Sequence, residues 1–468
     1  MIMTVILMRL LTPGDFGIVA LGIIFKELIM LFGEFGISDA VIQKGSISDT
    51  SIASGMVLNM LRSLGFGALL VALAPFAADF FDTPQVAPIV VISGSLLILE
   101  SLAFYPRTVL RSELRFTTLA AISGTAAVVN GLVAVMAALM GASFWAIVYG
   151  NIASTIVGVT GAWIAKPFFV SIKKASLTEM KSILSFGYNI TLSGIVAWIY
   201  TKGDDMIIGR VCGETIMGYY TKAYYIATIP SMTIGKALVA TTFPLYSRIK
   251  NEPISLIRRT FLKIYSMNLL VVLPFSVLII GIGAEAVPIV FGKQWLGMIR
   301  ILQITAIIGL LRGTYGHTIP LFKAFGRPDY YWKIASIQAV IVLSLGIWAT
   351  MRFGATGMLW VLVFTMGLGF ICYSYLSFRT ILDVRVSSYI GEIWPLPAGG
   401  VLMGFVLFFL HGYAHDITSL SIIFVVSLAV YGLIILLSPA KGVLFYLLRY
   451  LWRTLAEKAY SRCSKRHR

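Results

Sequence analysis

The chain has 468 residues, 58% of them hydrophobic and only 12% charged, with mean hydropathy +0.90. A soluble domain carries about 25% charged residues, so this composition excludes a soluble globular protein and points to one embedded in a membrane. The net charge of +17 would suit nucleic acid, but the basic residues sit in every second linker between long apolar runs, a membrane topology that leaves no nucleic-acid partner.

A partial apolar run occupies 1–11, followed by runs at about 16–37, 52–81, 86–105, 117–140, 143–165, 184–208 and 214–245. The series continues at 264–290, 298–322, 331–350, 355–376, 393–410 and 417–437. Each full run is long enough for an α-helix to cross a ~30 Å hydrocarbon layer. The expectation is an all-α integral membrane protein of fourteen helices, the first of them short. About ten residues before the Thr12-Pro13-Gly14 turn cover only half the bilayer, so an upstream start is expected.

Linkers that keep Lys and Arg belong on the cytoplasmic side. They fall at Lys44, at Arg107, Arg111 and Arg115, at Lys166 to Lys181, at Arg248 to Lys263, at Lys323 to Lys333, and at Arg379 and Arg385. The linkers between them, such as Asp82-Thr83-Pro84 and His411 to Asp416, lack Lys and Arg. Both termini are therefore expected in the cytoplasm of a multi-pass membrane protein. The tail from Lys441 alternates apolar residues with Lys and Arg and reads as an interfacial helix against membrane lipid.

An internal repeat organises the runs. Arg9-Leu10-Leu11 with Phe16-Gly17 returns as Arg210-Val211-Cys212 with Met217-Gly218, an offset of 201. Pro106 to Arg115 matches Pro320 to Asp329 at 214, and Gly141-Ala142-Ser143 matches Gly354-Ala355-Thr356 at 213. Constant order and near-constant spacing predict two parallel six-helix lobes about an axis along the membrane normal, with a substrate site at their interface. The expected divisions are lobe 1–165, basic linker 166–183, lobe 184–382, two extra helices in 389–437 and a basic tail 438–468.

Cys212, Cys372 and Cys463 are far apart and lack metal-ligand spacing. Neither metal nor cofactor is expected. Every linker is short and carries no nucleotide-binding motif or Ser-His-Asp set, which argues against a glycosyltransferase, a polysaccharide polymerase or an ATP-driven pump. A transporter is expected, not an enzyme.

Arg9-Leu-Leu-Thr-Pro-Gly-Asp-Phe-Gly17, Phe35-Gly-Ile-Ser-Asp-Ala-Val-Ile-Gln-Lys44 and Pro106-Arg-Thr-Val-Leu-Arg-Ser-Glu-Leu-Arg-Phe116 resemble the Wzx-type exporters of lipopolysaccharide, colanic acid and teichuronic acid. The likeness continues through Gly203-Asp-Asp-Met-Ile-Ile-Gly-Arg210, Gly218-Tyr-Tyr-Thr-Lys-Ala223, Phe291-Gly-Lys-Gln-Trp295 and Ala324-Phe-Gly-Arg-Pro-Asp329. It implies the multidrug, oligosaccharidyl-lipid and polysaccharide exporter superfamily. It also implies an undecaprenyl-diphosphate-linked oligosaccharide as substrate, carried outward across a bacterial inner membrane. A polymerase and glycosyltransferases of the same pathway are the expected partners. A peptidoglycan-precursor flippase and a multidrug exporter are the alternatives.

Eleven of the 37 Lys and Arg are not explained by topology. Arg9, Arg210, Lys293, Arg300 and Arg352 lie near outer span ends and can snorkel. Lys26, Arg62, Lys202, Lys222, Lys236 and Arg312 lie within apolar runs, where a cation facing lipid costs about 2.5–3.5 kcal/mol. A cationic cavity of Arg62, Lys222, Lys236 and Arg312 is the expectation, because guanidinium and ammonium groups bind phosphate oxygens by charge-assisted hydrogen bonds. Lys26 and Lys202 are secondary members, equally readable as internal ion pairs with Glu27 and Glu34 or with Asp204 and Asp205. Asn59, Asn189, Tyr200 and Tyr225 are expected to line the cavity. Glu27, Glu34, Asp204 and Asp205 are the candidates for ion coupling, with Gly203 as a candidate bend.

Overall fold

The computed structural model describes residues 2–33, 37–43, 48–167, 170–384, 393–438 and 442, and leaves out the side chains of 31–33, 39, 43, 185–197, 199–200 and 233–240. Glu34, Asn189, Tyr200 and Lys236 therefore lie outside the described side chains, and most of the basic tail lies outside the described residues. All regular structure among the described residues is helical. Helices satisfy their own backbone polar groups, which the membrane interior requires. Among the described residues eight helices are long and apolar enough to cross a membrane, or up to ten when each of two bent pairs counts as one span.

The helices are α1 (Ile2–Leu10), α2 (Pro13–Gly33), α3 (Ile37–Gln43), α4 (Asp49–Phe80), α5 (Val86–Ser101), α6 (Phe104–Ser112), α7 (Phe116–Leu139) and α8 (Trp145–Ala165). They continue as α9 (Leu177–Ile249), α10 (Ile254–Val290), α11 (Ile299–Tyr315), α12 (Thr318–Ala324), α13 (Asp329–Leu376), α14 (Pro395–Leu410) and α15 (Ile417–Leu437). Two of them, α9 with 73 residues and α13 with 48, are long enough for two crossings. Helix α9 breaks at Gly213 (φ 77°) and α13 at Gly354 (φ 62°), left-handed conformations in which a side chain would be strained. The break in α9 thus falls at Gly213, and the helix runs through Gly203, a candidate bend. Gly141 also has positive φ (79°), so both members of the Gly141/Gly354 sequence match adopt a backbone that favours glycine.

The chain divides into two compact units, 1–221 with 342–358, and 222–341 with 359–468. In the first, α4 and α5 meet through Gly67 and Gly94: a Cβ on either would come within 3.0 Å of the other's carbonyl oxygen. Small residues give these membrane helices their close approach. Ile37, Val41, Ile52, Ala53, Tyr105 and Val109 tie α3, α4 and α6 into one apolar cluster. In the second unit, Leu270, Leu278 and Ile282 of α10 pack with Met403 and Leu407 of α14 and with Tyr431 and Ile435 of α15.

Candidate substrate-binding site

The first unit holds a cavity of about 200 Å³ at the junction of α4, α5 and α6. Asn59 and Arg62, one turn apart on α4, enter it from one side. The other side is made by a 52° bend between α5 and α6. Pro106 causes that bend, because it has no N–H to offer the carbonyl of Leu102 four residues earlier. Trp163 supplies the missing donor through Nε1 at 3.0 Å, and Asn59 donates to the Ser101 carbonyl at 3.4 Å. The bend carries Glu100, Arg107, Thr108 and Arg111 into the cavity wall.

The lining is thus strongly cationic, with three arginines and one glutamate, and Lys26 Nζ stands 3.7 Å from that Glu100. Arg107 and Arg111 belong here as much as Arg62 does. Sequence reading left them in a cytoplasmic linker, since a basic loop already satisfies the topology rule. Their i,i+4 spacing behind a proline is the signal that would have placed both on one helical face.

A second charged group surrounds Lys202, whose Nζ lies 3.0 Å from Asp205 Oδ2 and 3.1 Å from Glu27 Oε2. Beside it Asp204 is buried, and one of its oxygens accepts the Tyr220 hydroxyl. The other oxygen, Oδ1, has no partner among the described residues. Two carboxylates, Glu27 and Asp205, thus share one ammonium, with the buried Asp204 next to them in the chain. The described partner of Lys26 is Glu100 on α5, not a carboxylate of its own helix. Arg210 Nη1 meets Asp82 at 2.5 Å and its guanidinium lies 5.7 Å from the Phe80 ring centre.

In the second unit Arg312 Nη1 donates to the Tyr224 hydroxyl at 2.8 Å. Lys222 is half-buried near the start of this part of α9, and Tyr225 is exposed. Among the described residues no group of three His, Cys, Asp or Glu could hold a metal ion.

Helices of membrane length, broken at glycines and enclosing fixed cations, define a multi-pass membrane protein of the transporter class. The chain belongs to the polysaccharide biosynthesis protein family, whose model matches residues 6–300. It is similar to the lipopolysaccharide biosynthesis protein WzxC of Escherichia coli, 22% identical over 398 residues, covering 83% of this chain and 79% of the relative. It is also similar to the teichuronic acid biosynthesis protein TuaB of Bacillus subtilis, 24% identical over 71% of this chain and 68% of the relative. Among solved structures, the lipid II flippase MurJ in an inward closed conformation superposes with TM-score 0.71 at 15% identity, over 95% of this chain and 96% of that one. A multidrug resistance transporter of the MATE family gives 0.61 at 15% identity, over 80% of this chain and 93% of that one. Both structural likenesses bear on the fold.

Proposed function

We propose that the chain carries a lipid-linked oligosaccharide, of the undecaprenyl-diphosphate class, from the cytoplasmic to the outer leaflet by alternating access of two six-helix lobes. The observation that carries this is the pocket of Arg62, Arg107 and Arg111 among membrane helices. A diphosphate leaving the head-group region must exchange hydration for fixed donors, and three guanidinium groups with Asn59 supply them. Lys222, Lys236 and Arg312 are the matching cations of the second half. Relatives named for lipopolysaccharide and teichuronic acid biosynthesis support polysaccharide export over multidrug export. In this reading the chain lies in the bacterial cytoplasmic membrane with both termini inside, working beside glycosyltransferases and a polymerase.

The test is complementation of a strain lacking the gene. An Arg62→Glu, Arg312→Glu double variant is expected to insert normally, to abolish surface polysaccharide and to leave lipid-linked oligosaccharide accumulating in the inner leaflet. Normal surface polysaccharide from that variant would overturn the proposal.

A second element of the reading concerns energy coupling. Asp204, with one carboxylate oxygen lacking a described partner in a cluster of three acids and one lysine, is the carboxylate best placed to bind a proton or Na⁺. Coupling requires that its affinity differ between inward and outward states. Asp204→Asn is expected to retain substrate binding and to lose the response of transport to an imposed ion gradient.

A further inference from the structure

Beside the cationic pocket, at the same α5–α6 bend, lies a second cavity of about 530 Å³. Its walls are Met56, Met60 and Leu61 of α4, Tyr105 of α6, Trp163 of α8 and Ile172. The lining is apolar, and its size is that of a ligand pocket, not a packing defect. Leu61 on its rim is 59% exposed, so the cavity opens sideways as a groove. Tyr105 and Trp163 stack with centroids 5.9 Å apart and form a flat wall. Met56 and Met60 form a deformable one.

The two cavities share Ser101 and Phe104. The apolar groove therefore adjoins the pocket of three arginines, with Ser101 and Phe104 lining both. On α4 the division falls between consecutive side chains: Leu61 lines the groove, and Arg62 lines the pocket. An ordinary apolar ligand has no use for the arginines, and a free phosphate has none for the groove. A diphosphate joined to a long apolar chain uses both.

We propose that this groove seats the isoprenoid chain of the lipid-linked substrate while its diphosphate lies among Arg62, Arg107 and Arg111, an assignment that rests on the diphosphate pocket of the preceding section. Branched methyl groups along the chain suit a wall of methionine and stacked rings, which adapts to irregular shape. The head then stays fixed while its tail remains in an apolar medium, so only the polar part has to be drawn out of the head-group layer.

The full-length protein in detergent tests this with undecaprenyl diphosphate, inorganic diphosphate and phosphatidylglycerol as separate probes. Met60→Trp fills the groove, and Leu61→Gln makes its exposed rim polar. Each is expected to weaken undecaprenyl diphosphate binding by roughly tenfold, as loss of a few buried CH₂ contacts would, while inorganic diphosphate binds as in the wild type. That retained binding also shows that the variant is folded; should Met60→Trp lose both ligands, Leu61→Gln decides. Wild-type affinity of Leu61→Gln for undecaprenyl diphosphate would overturn the assignment, as would equal competition by phosphatidylglycerol. Arg62→Gln separates the two levels: if it leaves inorganic diphosphate binding intact, the diphosphate pocket itself is wrong.

Discussion

Gly17 and Gly218 stand 201 positions apart, and each meets the backbone preceding the other. A Cβ on Gly17 would overlap the carbonyl oxygen of Glu214, and a Cβ on Gly218 would overlap that of Pro13. Pro13 and Glu214 are themselves 201 apart, so the contact is reciprocal: residue pairs exchange roles as they do across a two-fold axis. The start of α2 and the stretch after the break in α9 are the two segments that match in sequence at this offset.

Either glycine replaced by alanine should therefore force the two backbones apart. Gly17→Ala and Gly218→Ala are each expected to destabilise the protein by about 1–3 kcal/mol, the usual cost of overpacking. Gly124→Ala is the control, since a Cβ there meets open space, and helix propensity favours it slightly. Thermal unfolding in detergent would compare the three, and equal midpoints would show that the glycine contact is dispensable.

The pocket assignment separates two kinds of cation near helix ends. Arg107→Gln removes a guanidinium from the pocket lining, whereas Lys250→Gln removes a charge from the exposed turn between α9 and α10. Loss of one hydrogen-bonded charge contact is expected to lower export by roughly tenfold or more, and loss of the exposed lysine to leave it unchanged. Surface polysaccharide measured in the complemented strain distinguishes them.

Much of this architecture was legible in the chain because its signals are local. Apolar runs mark the helices, and Gly141 and Gly354, matched in the sequence, both have positive φ. Long-range pairing was not legible. Glu100 meets Lys26 only because α5 lies beside α2, and Glu27 meets Lys202 only because α9 does. Arg107 and Arg111 were hidden for a different reason: a rule that accounts for loop cations leaves nothing over to explain, although the bend at Pro106 gives both a second role.

The loop before α15 provides a pH-dependent feature outside the membrane spans. Asp416 caps the helix, accepting from the Ser419 N–H at 2.7 Å and the Ser419 hydroxyl at 2.6 Å. These bonds hold its carboxyl below the usual carboxylate range. A depressed pKa in the folded state contributes stability above the unfolded value of about 3.9, and that contribution is lost as pH falls through the folded value. Asp416→Ala should accordingly lower the unfolding midpoint at neutral pH, with the difference from wild type shrinking as the pH is taken below about 4. A difference independent of pH would show that the carboxylate charge has no part in the cap.

The bend between α5 and α6 yields a prediction that links two residues through one carbonyl. Leu102 lacks a helical donor because Pro106 has no N–H, and Trp163 Nε1 serves in its place at 3.0 Å. Trp163→Phe keeps the ring and removes the donor, so it should destabilise by about 1 kcal/mol through an unsatisfied carbonyl. Pro106→Ala restores a backbone N–H four residues after Leu102 and lets the helix straighten. In that background Trp163→Phe should cost less, giving a non-zero coupling in a double-mutant cycle. Function should move the other way: a straightened helix withdraws Arg107 and Arg111 from Arg62, so Pro106→Ala is expected to be stable yet defective in export. A Pro106→Ala protein with full export would show that the bend does not position the arginines.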